Sequence, residues 1–242
     1  MEFEGIVLRV TPFKEKDAMV NVLTSTGVLS FMARGVLSIE NKNAASLTQY
    51  AFSRFEFSEG KGTGLSLKNG TLIKSYDESF KSLDRLAALS VLGELTLHGV
   101  GEDEAASIYP YFKNALEAIE SGFDLLTTVI VFFAQVLKAA GYGLEVGHCV
   151  FCDSTKDIVA VSYPDGGFVC KNDLDAETMH PTDARYLKII RYLFMVGPED
   201  VKRVAFTKEE CLGILNEFKE YASDQLGLSL KGHELLIRSL KK

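Results

Sequence analysis

Cys149-Val150-Phe151-Cys152, followed by Cys170 and Asp173 at the same spacing, is the stretch of this 242-residue chain with the plainest chemical potential. Two thiolates three positions apart on a turn can grip one zinc ion, and a hairpin through Gly166-Gly167 brings Cys170 to the same place. A complete ribbon would carry a fourth cysteine three residues beyond Cys170; here that residue is Asp173. Asp173 can supply an oxygen, and His148 or His180 a nitrogen, to a mixed site. Three readings stay open: a structural zinc, a degenerate knuckle that folds without metal, and a redox pair. The redox reading needs its CxxC at a helix start after a parallel-type strand, and nothing before Cys149 supplies that unit. In none of the three is a metal catalytic, because no general base and no polar cluster surrounds the cysteines.

A second group of residues suits a charged polymer. Arg9, Lys14, Lys16, Arg34, Lys42 and Arg54 are scattered through the first 75 residues with Lys61, Lys68 and Lys74, and Phe13, Phe31, Phe52, Phe55 and Phe57 run among them. Cations on phosphates and rings on bases are how single-stranded nucleic acid is held. The same rings have a plainer use. A period of two sends Phe55 and Phe57 to one face and Phe52 to the other, so most of them are expected in a core; Phe13, in a charged loop after Pro12, fits either place.

The formal charge of −7 conceals an asymmetry. Residues 1–75 hold nine Lys or Arg against seven Asp or Glu, and the remaining 167 hold seventeen against twenty-six. A slightly basic segment on an acidic body can attract a phosphate backbone on one face, since local potential matters more than the total. So small an excess can equally be incidental.

The elements that must position these groups follow from periodicity. Val7-Leu8 with Val10, Ala18 to Leu23, Gly27 to Gly35, Tyr50 to Phe57, and Leu65 to Ile73 are five β-rich runs, which read as a small closed barrel. Gly60-Lys61-Gly62-Thr63-Gly64 lacks the GK[ST] ending of a phosphate loop and reads as a hairpin turn. From Asp77 the period becomes helical through Phe80, Leu83 and on to His98. Asp103 to Ile108 reads as a short helical turn, and Pro110 as the first position of a new helix. Leu125 to Leu137, apolar on nearly all sides, marks the central helix of a bundle. Helices follow the cysteine module at about 182–195, 208–226 and 232–241, the second opened by a Thr207/Glu210 capping box. Cys211 inside that helix reads as buried packing. The expected fold is thus α+β: a barrel over 1–78, then a helical domain over 79–242 with a ribbon insertion at about 146–180.

Several function classes drop out. No window reaches the ~18 apolar residues of a membrane span. The start Met1-Glu2-Phe3-Glu4 has no positive n-region, and four cysteines are too few for a secreted framework, so cytoplasm is the expected compartment. There is no GxSxG, HExxH or paired-carboxylate pattern, and His98 and His233 are isolated; an enzyme is not expected. The contest lies between a nucleic-acid-binding adaptor and a protein-interaction scaffold without direct DNA binding.

The order of motifs resembles one family. Gly5-Ile6-Val7-Leu8-Arg9, Lys16-Asp17 leading into Val20-Asn21-Val22-Leu23-Thr24, and Gly27-Val28-Leu29 with Ala33-Arg34-Gly35 are similar to the RecO family of bacterial recombination mediator and DNA repair proteins. So are Leu47-x-x-Tyr50, Ala140-Gly141-Tyr142 and Cys149-x-x-Cys152, and the likeness covers essentially the whole chain. It implies an OB-fold N-terminal domain, an all-helical C-terminal domain with a zinc ribbon, and a nucleoid-associated place in the cytoplasm. It implies binding of single- and double-stranded DNA, strand annealing, and help in loading RecA onto DNA coated with single-strand binding protein (SSB), together with RecR. It also implies a partner in the acidic, phenylalanine-ended tail of SSB. The family's ribbon commonly has CxxC twice, so Asp173 is a departure.

Overall fold

Alternating apolar and polar side chains make strands of the first 74 residues, because a period of two places every second side chain on one face. The computed structural model describes residues 1–38, 41–59, 65–102, 104–200 and 204–240; the expected hairpin turn at 60–64, with Lys61, lies outside them. The strands are β1 (Glu2–Phe13), β2 (Asp17–Thr24), β3 (Gly27–Ala33), β4 (Phe52–Glu59) and β5 (Leu65–Lys74). β1 pairs antiparallel with β2 and β4, β2 with β3, and β4 with β5. The ring closes where β3 meets β5 in parallel at Met32 and Ser66, giving the closed five-stranded order of an OB-fold. Val7, Ala18, Val20, Val22, Phe31, Ala33, Phe55 and Phe57 fill its interior. The rings there meet edge to face, Phe31 and Phe57 at 4.8 Å between centroids.

Six helices follow: α1 (Leu83–His98), α2 (Ala105–Glu120), α3 (Leu125–Ala139), α4 (Ala184–Met195), α5 (Lys208–Leu226) and α6 (Lys231–Ser239). Between α3 and α4 stands a three-stranded sheet of β6 (Glu145–Cys149), β7 (Ile158–Ser162) and β8 (Gly167–Cys170), in the order β6-β8-β7. α3 is buried from Leu126 to Leu137, as its all-round apolar character requires, and Asp124 caps it by accepting from Thr127 N at 2.7 Å. The Thr207/Glu210 capping box is present at the start of α5. The Arg185 guanidinium first, then the Thr207 N–H, hold the Glu210 carboxyl down at about 2. No described helix is long and apolar enough to cross a membrane.

Two local readings are corrected. Pro110 does not open a helix but lies inside α2, which runs unbroken from Ala105. The buried stripe of Ala105, Ile108, Phe112, Ala115 and Leu116 passes across the proline. Burial of that stripe outweighs the ~3 kcal/mol that an interior proline costs. The helix expected from Asp77 also begins later. Asp77–Phe80 is a 3₁₀ turn, held because the Glu120 carboxylate accepts from Glu78 N at 3.1 Å and Ser79 N at 2.9 Å; α1 starts only at Leu83.

The barrel and the helices share apolar contacts. Ile6, Leu8, Leu23, Tyr50, Phe52 and Tyr76 on the outside of the barrel belong to one buried cluster with Leu89, Leu92, Phe112 and most of α3. Phe52 therefore faces the helices while Phe55 and Phe57 face the barrel interior, as the period of two requires.

Candidate nucleic-acid interface and metal centre

One rim of the barrel gathers part of the cationic set. The turn Lys14–Lys16 joins β1 to β2, with Lys14 in the left-handed region at φ 58. The chain leaving β3 folds back onto this turn. Leu37 N donates to Lys16 O at 3.0 Å, and Gly35 N to the Asp17 carboxylate at 2.8 Å. Gly35 sits at φ +66, a conformation that glycine adopts freely. Asn41 Nδ2 closes the bend on Gly35 O at 2.9 Å. Lys14 and Lys16 in the turn and Arg34 on the segment braced to it are all exposed, with no carboxylate partner among the described residues. Lys42, also exposed, follows Asn41 on the same braced segment, where Asn43 Oδ1 accepts from Gly70 N at 3.0 Å. Glu15 lies between the two lysines and lowers the local charge.

The other two candidates are placed differently. Arg54 on β4 is held by Glu4 at 2.7 Å, which the β1–β4 register brings opposite it, and by Glu2 at 3.3 Å on the diagonal. The Glu4 carboxylate, then Glu2, raises the Arg54 guanidinium above its ordinary value. Arg9 points to the helical body, its Nη2 3.3 Å from His98 Nε2. Lys74, in the wider scatter, pairs with Glu117 and lies over the Tyr76 ring.

The cysteine module assembles in full. Cys149, Cys152, Cys170 and Asp173 each offer one ligand atom, all within 4.8 Å of one another. Cys149 ends β6, Cys152 closes the turn after it, and Cys170 ends β8. Two sulfurs each about 2.3 Å from a tetrahedral zinc stand about 3.8 Å apart; Cys152 and Cys170 Sγ are 3.7 Å apart. Asp173 Oδ2 lies 3.2 Å from Cys149 Sγ and 3.1 Å from Cys170 Sγ. Burial pushes the Cys149 thiol up, but the N–H groups of Cys170, Phe151 and Cys152 together outweigh it and leave the thiol below its ordinary value. The Asp173 carboxylate first, then burial and the Cys170 and Cys149 thiols, push Cys152 up to about 12 against the lowering effect of the Ser154 N–H. Three thiols crowding one carboxylate, with backbone N–H groups turned onto a sulfur, is a donor set that fits a zinc ion. The histidines weighed as a fourth ligand lie elsewhere: His148 turns to Asp153 and Glu145 at 3.5 and 3.7 Å, and His180 is exposed outside the cluster. Cys211 is buried in α5, its thiol 3.7 Å from Thr127 Oγ1 and pushed up to about 11 by burial.

A third feature had no sequence signal. Beside α4 a cleft of about 200 Å³ is walled by Ile158, Phe168 and Leu187, with Lys188 and Arg191 at its edge. The Arg191 guanidinium lies 5.3 Å from the Phe168 ring centroid, and its Nε donates to Val146 O at 2.8 Å. These residues come from β7, β8 and α4, so only the folded chain brings them together.

A closed OB-fold barrel packed on a helical body, with a three-thiol ribbon inserted in that body, defines a class of two-part, barrel-bearing proteins. Within that class the chain belongs to the recombination protein O family. Residues 1–76 match the family model for the recombination protein O N terminal, and residues 81–234 that for the recombination protein O C terminal. Full-length relatives agree. The chain is 25% identical over 237 residues to the DNA repair protein RecO of Halalkalibacterium halodurans, covering 96% of this chain and 92% of that protein. It is 27% identical over 241 residues to that of Bacillus subtilis (96% and 92%), and 28% identical over 235 residues to that of Clostridium acetobutylicum (93% and 94%).

Proposed function

We propose that this chain is a DNA-binding recombination mediator acting in DNA repair. In this reading the barrel of residues 1–78 grips single- and double-stranded DNA, and residues 79–242 carry it and receive partners. The observation that supports it most is the braced rim that carries exposed Lys14, Lys16 and Arg34, with Lys42 on the adjoining segment, in a chain of the recombination protein O family. Arg9 turns to His98 on the helical body and Arg54 to Glu2 and Glu4, so each contributes only if it exchanges that partner for a phosphate. No bond is made or broken. Neutralising part of the phosphate charge lets two complementary strands approach, so that base pairing prevails over their repulsion and they anneal. Together with RecR, the protein assists the loading of RecA onto DNA covered by SSB, in the cytoplasm at the nucleoid.

The DNA contacts are tested by charge reversal in the full chain. Arg34→Glu with Lys42→Glu should weaken binding of a fluorescent oligonucleotide by about a hundredfold or more at low salt, since each charge-assisted contact contributes about 1.5–3 kcal/mol. The slope of log K against log salt should become shallower by about 1.4, two contacts at ~0.7 each for a single strand. Unchanged affinity and slope would remove this rim from the account and favour the interaction scaffold instead.

The cleft beside α4 suits the tail of SSB. Its apolar walls can take a terminal phenylalanine while Lys188 and Arg191 face acidic groups. Lys188→Glu should weaken an SSB tail peptide about tenfold or more, measured by anisotropy; undiminished binding places the tail elsewhere.

A zinc ion held by Cys149, Cys152, Cys170 and Asp173 would supply a cross-link and no reaction. Held by it, the four residues would tie the turn after β6 to the end of β8.

A further inference from the structure

Two apolar side chains stand in water among the cations of the barrel rim. Phe13, the last residue of β1, is 45% exposed, and Leu37, in the segment braced onto the β1–β2 turn, is 42% exposed. The other phenylalanines expected as stacking rings are not accessible: Phe31, Phe52, Phe55 and Phe57 are all buried. Phe13 is thus the exposed ring of that set, and the Lys14 ammonium lies 5.4 Å from its centroid. Both side chains sit on backbone already fixed. Phe13 pairs with Asp17 across the hairpin, and Leu37 is tied through its N–H to Lys16 O.

We propose that Phe13, with Leu37 beside the same turn, is the base-contacting platform that makes this rim prefer unpaired DNA strands over duplex. The proposal rests on the DNA-binding reading above and divides the labour within it. Lys14, Lys16, Arg34 and Lys42 meet phosphates, which a single strand and a duplex both present. Phe13 and Leu37 meet the faces of bases, which a duplex hides inside its stack. Cations therefore set the salt dependence, and the apolar pair sets which form of DNA is held. An aromatic ring offers a face to any base, so the preference is for strand form and not for sequence.

The test uses the full-length chain and three labelled probes of equal length: oligo-dT, a duplex, and a strand of abasic sugar–phosphate. The wild-type chain should bind oligo-dT roughly tenfold more tightly than the abasic strand, the size expected for one stacked base. Phe13→Ala with Leu37→Ala should bring oligo-dT down to the abasic level while leaving the salt slope unchanged. Phe13→Tyr should keep the preference, because the ring remains. The chain contains no tryptophan, so a 2-aminopurine placed in the strand reports stacking against a quiet background. Its fluorescence should change on binding to the wild type and not to the double variant. Equal binding of oligo-dT and the abasic strand by the wild type, or a preference that survives Phe13→Ala with Leu37→Ala, would overturn the proposal. Absence of binding to all three probes is a distinct result, which would sink the DNA-binding reading itself.

Discussion

Changing Gly167 to alanine is expected to disable the zinc site proposed at Cys149, Cys152, Cys170 and Asp173, although Gly167 offers no ligand atom. A Cβ there would stand 2.4 Å from Glu145 O and 2.8 Å from Glu145 N, both backbone atoms that cannot swing aside. β8 would have to draw away from β6, and those two strands end in Cys170 and Cys149. A ribbon opened at its base no longer brings the cysteines within reach of one ion. Zinc per chain, read with a chromophoric chelator after gel filtration under reducing conditions, should be one for the wild type. It should be close to zero for Cys149→Ala and far below one for Gly167→Ala. Asp173→Cys should bind more tightly than the wild type, since it completes a four-thiolate set. In isolated zinc-finger peptides the ion contributes about 10–16 kcal/mol to folding. Here Phe168 and Val146 are anchored in the main core, so a chelator should loosen the knuckle and leave the helices intact. A wild-type chain that holds no zinc yet keeps its ribbon folded would favour the metal-free knuckle, with Asp173 accepting from the thiols.

Phe133→Ala should cause the largest loss of stability from one side chain. Phe133 is fully buried in the middle of α3, and its ring meets that of Phe218 on α5 edge to face at 5.7 Å. Truncating a buried phenylalanine loses its transfer free energy and leaves a cavity, together about 3–5 kcal/mol. Domains are commonly stable by only ~5–15 kcal/mol, so the urea midpoint should fall steeply. A change under about 1 kcal/mol would mean that α3 is not the packed centre described above.

Much of the frame was legible because it is written in local pattern. The alternation in Phe52–Phe57 gives both a strand and the face each ring takes, and Leu125–Leu137 announces a helix with no wet side. Thr207 and Glu210 mark a helix start three residues apart, and Cys149, Cys152, Cys170 and Asp173 share one spacing. What stayed hidden depends on partners distant in the chain. Arg54 looks free in sequence, yet Glu4 lies opposite it only because β1 and β4 pair in that register. Arg9 meets His98 across 89 positions. Asp17 and Asn41 brace the chain after β3 onto the β1–β2 turn through Gly35, a contact that spans 18 positions from Asp17 and that no local pattern reveals. Pro110 suits a helix start by its local stereochemistry, and the buried stripe on either side of it places it inside α2 instead.

The buried cluster that runs from Ile6 and Tyr50 through α1 to α3 makes barrel and bundle mechanically one piece. A swivel between them would expose those side chains to water, so the barrel and the helices move as a single lever. On the reading proposed above, a partner seated far out on the helices would then drag a bound strand along with it.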